Sequence, residues 1–320
     1  LMRGKKLIVV CGPTASGKTA LSIGLAKAFS GEVVSADSMQ IYRGMDIGTA
    51  KPTAAEMEGV PHHMLDVAEP GESYSVSRYA REAAACVDDI LRRGKQPIVC
   101  GGTGLYIDGL LRGTEFQPCG VDLGLREALE EQWQQAGPAA MMARLAQADP
   151  ESAARLHIND KRRILRALEV YLATGETITA HNLRTQTVPP RYAAVQLGLC
   201  TEPRAILYGR IDRRVDQMLD QGLAQEVRRL QQEGRLVGTA AQAIGYKEML
   251  DYLAGRVPLE QAAELIRQKS RNYAKRQLTW FRRKQEIRWI TYNRPEMAGA
   301  ILQEATEYLQ KTLYNDDEPF

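Results

Sequence analysis

The 320-residue sequence has room for one large or two modest domains; it is 44% hydrophobic, 25% charged and carries a net charge of +3, a profile that suits a globular chain with its own core. It contains no apolar run near the roughly eighteen residues of a membrane helix, and the apolar stretch before Cys11 is too short for a signal-peptide core. Cys11, Cys86, Cys100, Cys119 and Cys200 are scattered without a CxxC spacing, which argues against a disulfide framework or zinc knuckle and for a reducing cytoplasm.

In chain order, residues 7–11 read as a short buried strand stopped by Gly12-Pro13, followed by a helix from Gly17 to about Phe29 with Leu21, Leu25 and Ala28 on one side. Val33-Val34-Ser35 is a second strand, residues 74–94 a helix, and Pro97-Ile98-Val99-Cys100 a third strand broken by Gly101-Gly102. Apolar strands without alternation, separated by helices, predict a parallel sheet covered on both faces. Strand patterns then vanish. Four helices are expected at about 122–136, 138–147, 150–157 and 160–174, the last between Asn159 or Asp160 and Gly175. Strands resume at 193–199 and 288–291. The expected architecture is therefore an α/β core with a parallel sheet, residues 1–113 and 193–320, interrupted by an all-helical insertion at 114–192.

Gly12-Pro13-Thr14-Ala15-Ser16-Gly17-Lys18-Thr19 matches G-x-x-x-x-G-K-[ST] between a strand and a helix, which makes the core P-loop NTPase-like. Such a loop turns backbone N–H groups of Gly12, Thr14, Ala15, Ser16 and Gly17 onto phosphate oxygens at a helix N-terminus. Lys18 adds a mobile charge, and the Thr19 hydroxyl is placed to ligate Mg²⁺. Asp37 and Thr103 follow later strands and should face the same ligand. Asp37 can bind metal, act as a base or cap a turn; Thr103 can orient a substrate or serve as a turn hydroxyl. Arg210 and Arg214, one helical turn apart, can add charge around the diphosphate or lie on a solvated face. His62-His63 lacks a third ligand at metal spacing and reads as a loop beside the pocket.

Charge distribution discriminates among the possible uses of this cradle. Residues 1–100 hold 12 basic and 11 acidic side chains, whereas Arg267–Arg288 holds 9 basic residues against Glu286. A basic segment of this density suits a polyanion. It favours a transferase whose leaving group is diphosphate over a metabolite kinase, while a nucleotide-switched binding module is disfavoured by the lack of an obvious strand-terminal switch acid.

Several tracts resemble the tRNA dimethylallyltransferases: the P-loop itself, Asp37-Ser38-Met39-Gln40-Ile41-Tyr42, the run from Met45 to Pro52, His62-His63, and Gly101-Gly102-Thr103-Gly104-Leu105-Tyr106. Later matches are Asn159-Asp160, Arg163-Ile164, Arg166-Ala167-Leu168-Glu169, Gly245-Tyr246 and Lys275-Arg276-Gln277-Leu278-Thr279-Trp280. The likeness covers nearly the whole chain in order and is nearest the bacterial branch; Lys161-Arg162 stands where that pattern more often has Pro-Gln. The resemblance implies transfer of a dimethylallyl group from its diphosphate to N6 of adenosine-37 in the tRNA anticodon loop, with Mg²⁺ and without ATP consumption. It implies that Asp37 is the general base, with Thr103 and Lys18 assisting. It further implies tRNA contacts from Asp37, Ser38, Met39 and Gln40, from Lys161, Arg162, Arg163, Ile164 and Arg166, from Gly245 and Tyr246, and from Lys275, Arg276, Gln277, Thr279 and Trp280. Trp280 and Phe281 can instead be core residues. A cytoplasmic monomer is expected.

Overall fold

The computed structural model describes residues 6–113, 123–187, 189–294 and 297–313; Cys119 lies outside them. Six parallel strands form one sheet in the order β3-β2-β4-β1-β5-β6. They are β1 (Leu7–Cys11), β2 (Gly31–Ser35), β3 (His62–His63), β4 (Gln96–Gly101), β5 (Ala194–Thr201) and β6 (Ile287–Tyr292). Every residue of β1 is buried, and its alternate side chains enter different cores: Leu7, Val9 and Cys11 in one, Ile8 and Val10 in the other. That two-sided burial is why the central strand is a continuous apolar run rather than an alternating one.

The helices are α1 (Lys18–Ala28), α2 (Ala54–Met57), α3 (Val76–Arg92), α4 (Gly104–Arg112), α5 (Leu123–Ala148), α6 (Pro150–Arg155), α7 (Lys161–Thr174), α8 (Ile178–Thr187), α9 (Arg204–Asp220), α10 (Leu223–Gln232), α11 (Tyr246–Leu253), α12 (Leu259–Phe281) and α13 (Ala298–Leu313). Leu21 and Leu25 of α1 are buried as expected, but Ala28 is exposed, its place on the inner face taken by Ile23 and Ala26. None of the described helices is long and apolar enough to cross a membrane.

The chain folds into two compact units, Leu1–Leu111 with Tyr192–Phe320, and Arg112–Arg191. In the first, Tyr192 N–H donates to the Leu111 carbonyl (3.3 Å), so the chain leaves and returns at one point. The second is all-helical among its described residues. Its α5 breaks at Gly137, with φ of 78° just before Pro138, and α7 ends at Gly175 in the left-handed region. Helix α8 is not foreseen by the sequence pattern. Its Thr179 is held through the buried Asp149, whose carboxylate also caps α6 at Ser152.

His62 and His63 are not a loop beside the pocket but a two-residue edge strand paired with Val33 and Val34. His63 Nε2 meets the carboxylate of buried Glu32 at 2.8 Å, and Arg93 grips the same carboxylate with both terminal nitrogens. The Arg93 guanidinium, aided by His63, holds the Glu32 carboxyl at about 2 despite burial. A depressed folded-state pKa stabilises the protein above the ordinary carboxyl range, and the contribution is lost as pH falls from about 4.5 towards 2. Urea unfolding should therefore lose about 3 kcal/mol from this group across that window. Glu32→Gln should show a correspondingly flatter acid limb.

Candidate active site

The P-loop, the Asp37 turn and the Thr103 turn follow β1, β2 and β4, which are adjacent in the sheet, so all three open at its carboxyl edge. Gly12 has φ of 141°, and a Cβ there would meet the Leu199 carbonyl at 2.4 Å, so the loop needs glycine to pass β5. Ala15 also takes a positive φ, 61°, and Gly17 leads into α1 from the left-handed region. Three further contacts fix the loop from outside. The Tyr292 hydroxyl donates to the Ser16 carbonyl (2.8 Å), and Arg210 Nε donates to the Ala15 carbonyl (2.7 Å). Gln277 accepts from Thr14 N–H (2.8 Å) while donating to the Gly102 carbonyl (3.0 Å). Ser16 Oγ is buried without a hydrogen-bond partner, an arrangement uncommon unless a ligand or water completes it.

Positive charge converges here. Lys18 Nζ donates to the Pro13 carbonyl at 2.6 Å. Arg214 Nη1 reaches Thr14 Oγ1 at 3.5 Å, four residues along α9 from Arg210. Lys18, Arg210 and Arg214 form no salt bridge with a carboxylate among the described residues. Burial lowers the pKa of the Lys18 ammonium, with Arg214 lowering it further against the pull of Cys100 and Asp37. Burial and then Arg210 lower the pKa of Arg214. Like charges gathered at one loop, with an orphaned hydroxyl and a helix N-terminus, make an anion site.

Asp37 Oδ1 accepts from Met39 N–H (2.8 Å) and Gln40 N–H (3.3 Å), so Asp37 does cap its turn. Oδ2 has no protein partner among the described residues. The same carboxylate lines two cavities. One, of about 80 Å³, adds Lys18, Thr19, Gln40 and Cys100; the other, of about 280 Å³, adds Met39, Ile211, Val215, Met218, Ile244 and Ile266. Thr14, Thr49, Ala50, Arg214 and Tyr273 border both. Thr103 lines neither. Its hydroxyl accepts from Ser38 N–H (3.1 Å) and contacts Ser38 Oγ (3.4 Å), so it braces the Asp37 turn.

Residues 40–284 match the model of the family described as IPP transferase, and residues 5–70 match that described as isopentenyl transferase. The chain belongs to the IPP transferase family. A tRNA dimethylallyltransferase of Bacillus velezensis is 48% identical over 296 residues, 92% of this chain and 94% of that protein. One from Geobacillus thermodenitrificans is 47% identical over 305 residues, 95% and 96% of the two chains. Among solved structures, a full-length tRNA isopentenylpyrophosphate transferase of Bacillus halodurans superposes with a TM-score of 0.72 at 42% identity, covering 97% of each chain. A eukaryotic dimethylallyltransferase described as acting on tRNA gives 0.83 at 30% identity, covering 99% of this chain and 82% of that one.

In this IPP transferase the remaining sequence-derived residues divide into exposed and internal groups. Lys275, Arg276, Thr279 and Trp280 are exposed on α12, whereas Phe281 is core. Trp280 packs its indole against Gly104, and its Nε1 donates to Asp108 (3.2 Å). Arg162, Arg163 and Arg166 are exposed on α7, with Lys161 half-buried. Three positions are corrected. Ile164 is fully buried in the core of the helical unit, so it cannot touch RNA. Tyr246 is likewise fully buried, with Gly245 serving as the N-cap of α11. Gln277, only 5% exposed, is a brace of the P-loop. The residues missed by sequence reasoning, Tyr292 and Glu226, carry no local motif; only the packing of α10 and β6 brings them near the site.

The basic run on α12 is also less positive than its sequence. Arg267 pairs with Asp216 and Glu264, Lys269 with Glu248, Arg271 with Asp212, Arg282 with Glu202 and Lys284 with Asp108. Lys275, Arg276 and Arg283 have no carboxylate partner among the described residues.

Proposed function

We propose that the chain transfers a dimethylallyl group from dimethylallyl diphosphate to N6 of adenosine-37 in the tRNA anticodon loop, releasing diphosphate and consuming no ATP. The observation that carries this reading is the unneutralised trio Lys18, Arg210 and Arg214 around the P-loop amides, next to a carboxylate with one free oxygen. As the allylic carbon–oxygen bond breaks, negative charge accumulates on the departing diphosphate, and preorganised cations and amides stabilise it there. Asp37 Oδ2 accepts the N6 proton, making a delocalised amine nucleophilic. The larger, mostly apolar cavity suits the prenyl chain beside an extruded base. Thr19 and Asp37 border the same small polar cavity, and this all-oxygen donor set fits a hard divalent cation such as Mg²⁺. That ion, when bound, supplies further positive charge beside the leaving oxygens.

In this reading Ser38, Met39 and Gln40 border the base, Lys275, Arg276, Thr279 and Trp280 meet the RNA from α12, and the insertion adds Lys161, Arg162, Arg163 and Arg166. A monomer is proposed, and the relatives' substrates suit a cytoplasmic site of action. Replacing Lys275, Arg276 and Arg283 together by alanine should reduce the slope of log affinity against log salt by about 2. Filter binding of the stem-loop over a salt series checks it.

The deciding assay incubates the chain with unmodified tRNA, labelled dimethylallyl diphosphate and Mg²⁺ without ATP. Label on adenosine-37 is expected. ATP hydrolysis or phosphate transfer with untouched tRNA would favour a phosphotransferase instead.

A further inference from the structure

We propose that Glu226, together with Tyr246, is a positioning residue for prenyl transfer, fixing the Gly48–Ala50 wall that borders both cavities at Asp37. The proposal rests on the function read above and assigns its site a component that no motif marks. Glu226 lies on α10, 7% exposed, with no cationic partner among the described residues. Its Oε2 accepts from Asp46 N–H (3.0 Å) and Ile47 N–H (2.9 Å), and its Oε1 from Gly48 N–H (3.2 Å) and the Tyr246 hydroxyl (2.6 Å). Four donors thus converge on the two oxygens of one buried carboxylate, and charge-assisted hydrogen bonds of this kind are the strong ones.

The loop held this way continues directly into the site. The Tyr246 ring lies so close to Gly48 that a Cβ there would meet it at 2.4 Å. Burial and the neighbouring Glu226 push the Tyr246 phenol far above its ordinary range, so it stays a donor. Beyond Gly48, the side-chain amide of Gln40 donates to the carbonyls of Thr49 and Ala50 (both 3.2 Å). Lys51 then ties the far end to the Tyr42 carbonyl and to Asp46 and Asp66. Thr49 and Ala50 are thus clamped from both sides where they face Lys18 and Asp37. A wall in that place sets the gap between leaving group and acceptor, and it keeps water from the allylic carbon.

Loosening the wall should divert the reaction. Water then attacks the allylic carbon, the new carbon–oxygen bond gives dimethylallyl alcohol, diphosphate leaves, and the proton goes to solvent. The test measures alcohol and prenylated anticodon stem-loop from the same incubation, for wild type, Glu226→Gln and Tyr246→Phe. After subtraction of the alcohol formed without enzyme, their ratio does not depend on how much of a variant is folded. In Glu226→Gln, kcat should fall about ten- to a hundredfold, with stem-loop affinity within a few-fold. The alcohol-to-RNA ratio should rise about tenfold. If Glu226→Gln fails to fold by circular dichroism, the same rise in Tyr246→Phe decides, since that variant keeps the ring against Gly48 and removes one donor. A wild-type ratio in folded variants, whatever kcat does, overturns the proposal. No transfer by the wild-type chain would instead reject the parent reading and this one with it.

Discussion

Asp37→Asn is expected to lower the single-turnover rate of prenyl transfer by about 10³-fold while stem-loop affinity stays within a few-fold. The substitution separates the two tasks of this side chain. An amide oxygen in the place of Oδ1 still accepts from the Met39 and Gln40 amides, so the turn persists. What is lost is the free oxygen able to receive the N6 proton. Asp37→Ala removes both functions at once and should be at least as inactive, with a lower unfolding midpoint. An Asp37→Asn variant with near wild-type turnover would remove Asp37 as the base and leave it a turn residue.

Lys18→Ala is expected to cost about 10²-fold or more in kcat/KM for dimethylallyl diphosphate. In the free protein the ammonium rests on the Pro13 carbonyl, a neutral acceptor. Exchanging it for a developing oxyanion strengthens the hydrogen bond roughly twofold. The gain grows as charge moves onto the leaving group, so kcat should fall as well as affinity. Steady-state kinetics over donor concentration separates the two. A variant whose KM alone rises would assign Lys18 to uniform substrate binding.

The parallel core was legible because β1, β2 and β4 carry short apolar runs without alternation, buried on both faces, and because a P-loop needs a strand before it and a helix after. Local chemistry placed Lys18, Thr19 and Asp37 at one edge for the same reason. What stayed hidden depends on contacts between distant segments. Gln277 sits in a tract that reads as RNA-binding, yet its amide closes on Thr14 and Gly102, far away in sequence. The excess charge of α12 is largely met by acids from α9 and α11 that a count within one segment cannot include. Ile164 and Tyr246 stand in characteristic motifs because they pack, and a motif does not distinguish packing from contact with substrate. Arg210 and Arg214 look like an ordinary surface pair until the fold seats them on the loop.

That Lys18, Arg210 and Arg214 form no salt bridge among the described residues has a cost later in the cycle. An anion that assists bond cleavage by resting among bare cations is held by those same cations once the bond is gone. Shedding the spent diphosphate therefore re-exposes like charges to one another, and the free energy that speeds the chemistry opposes the escape of its by-product.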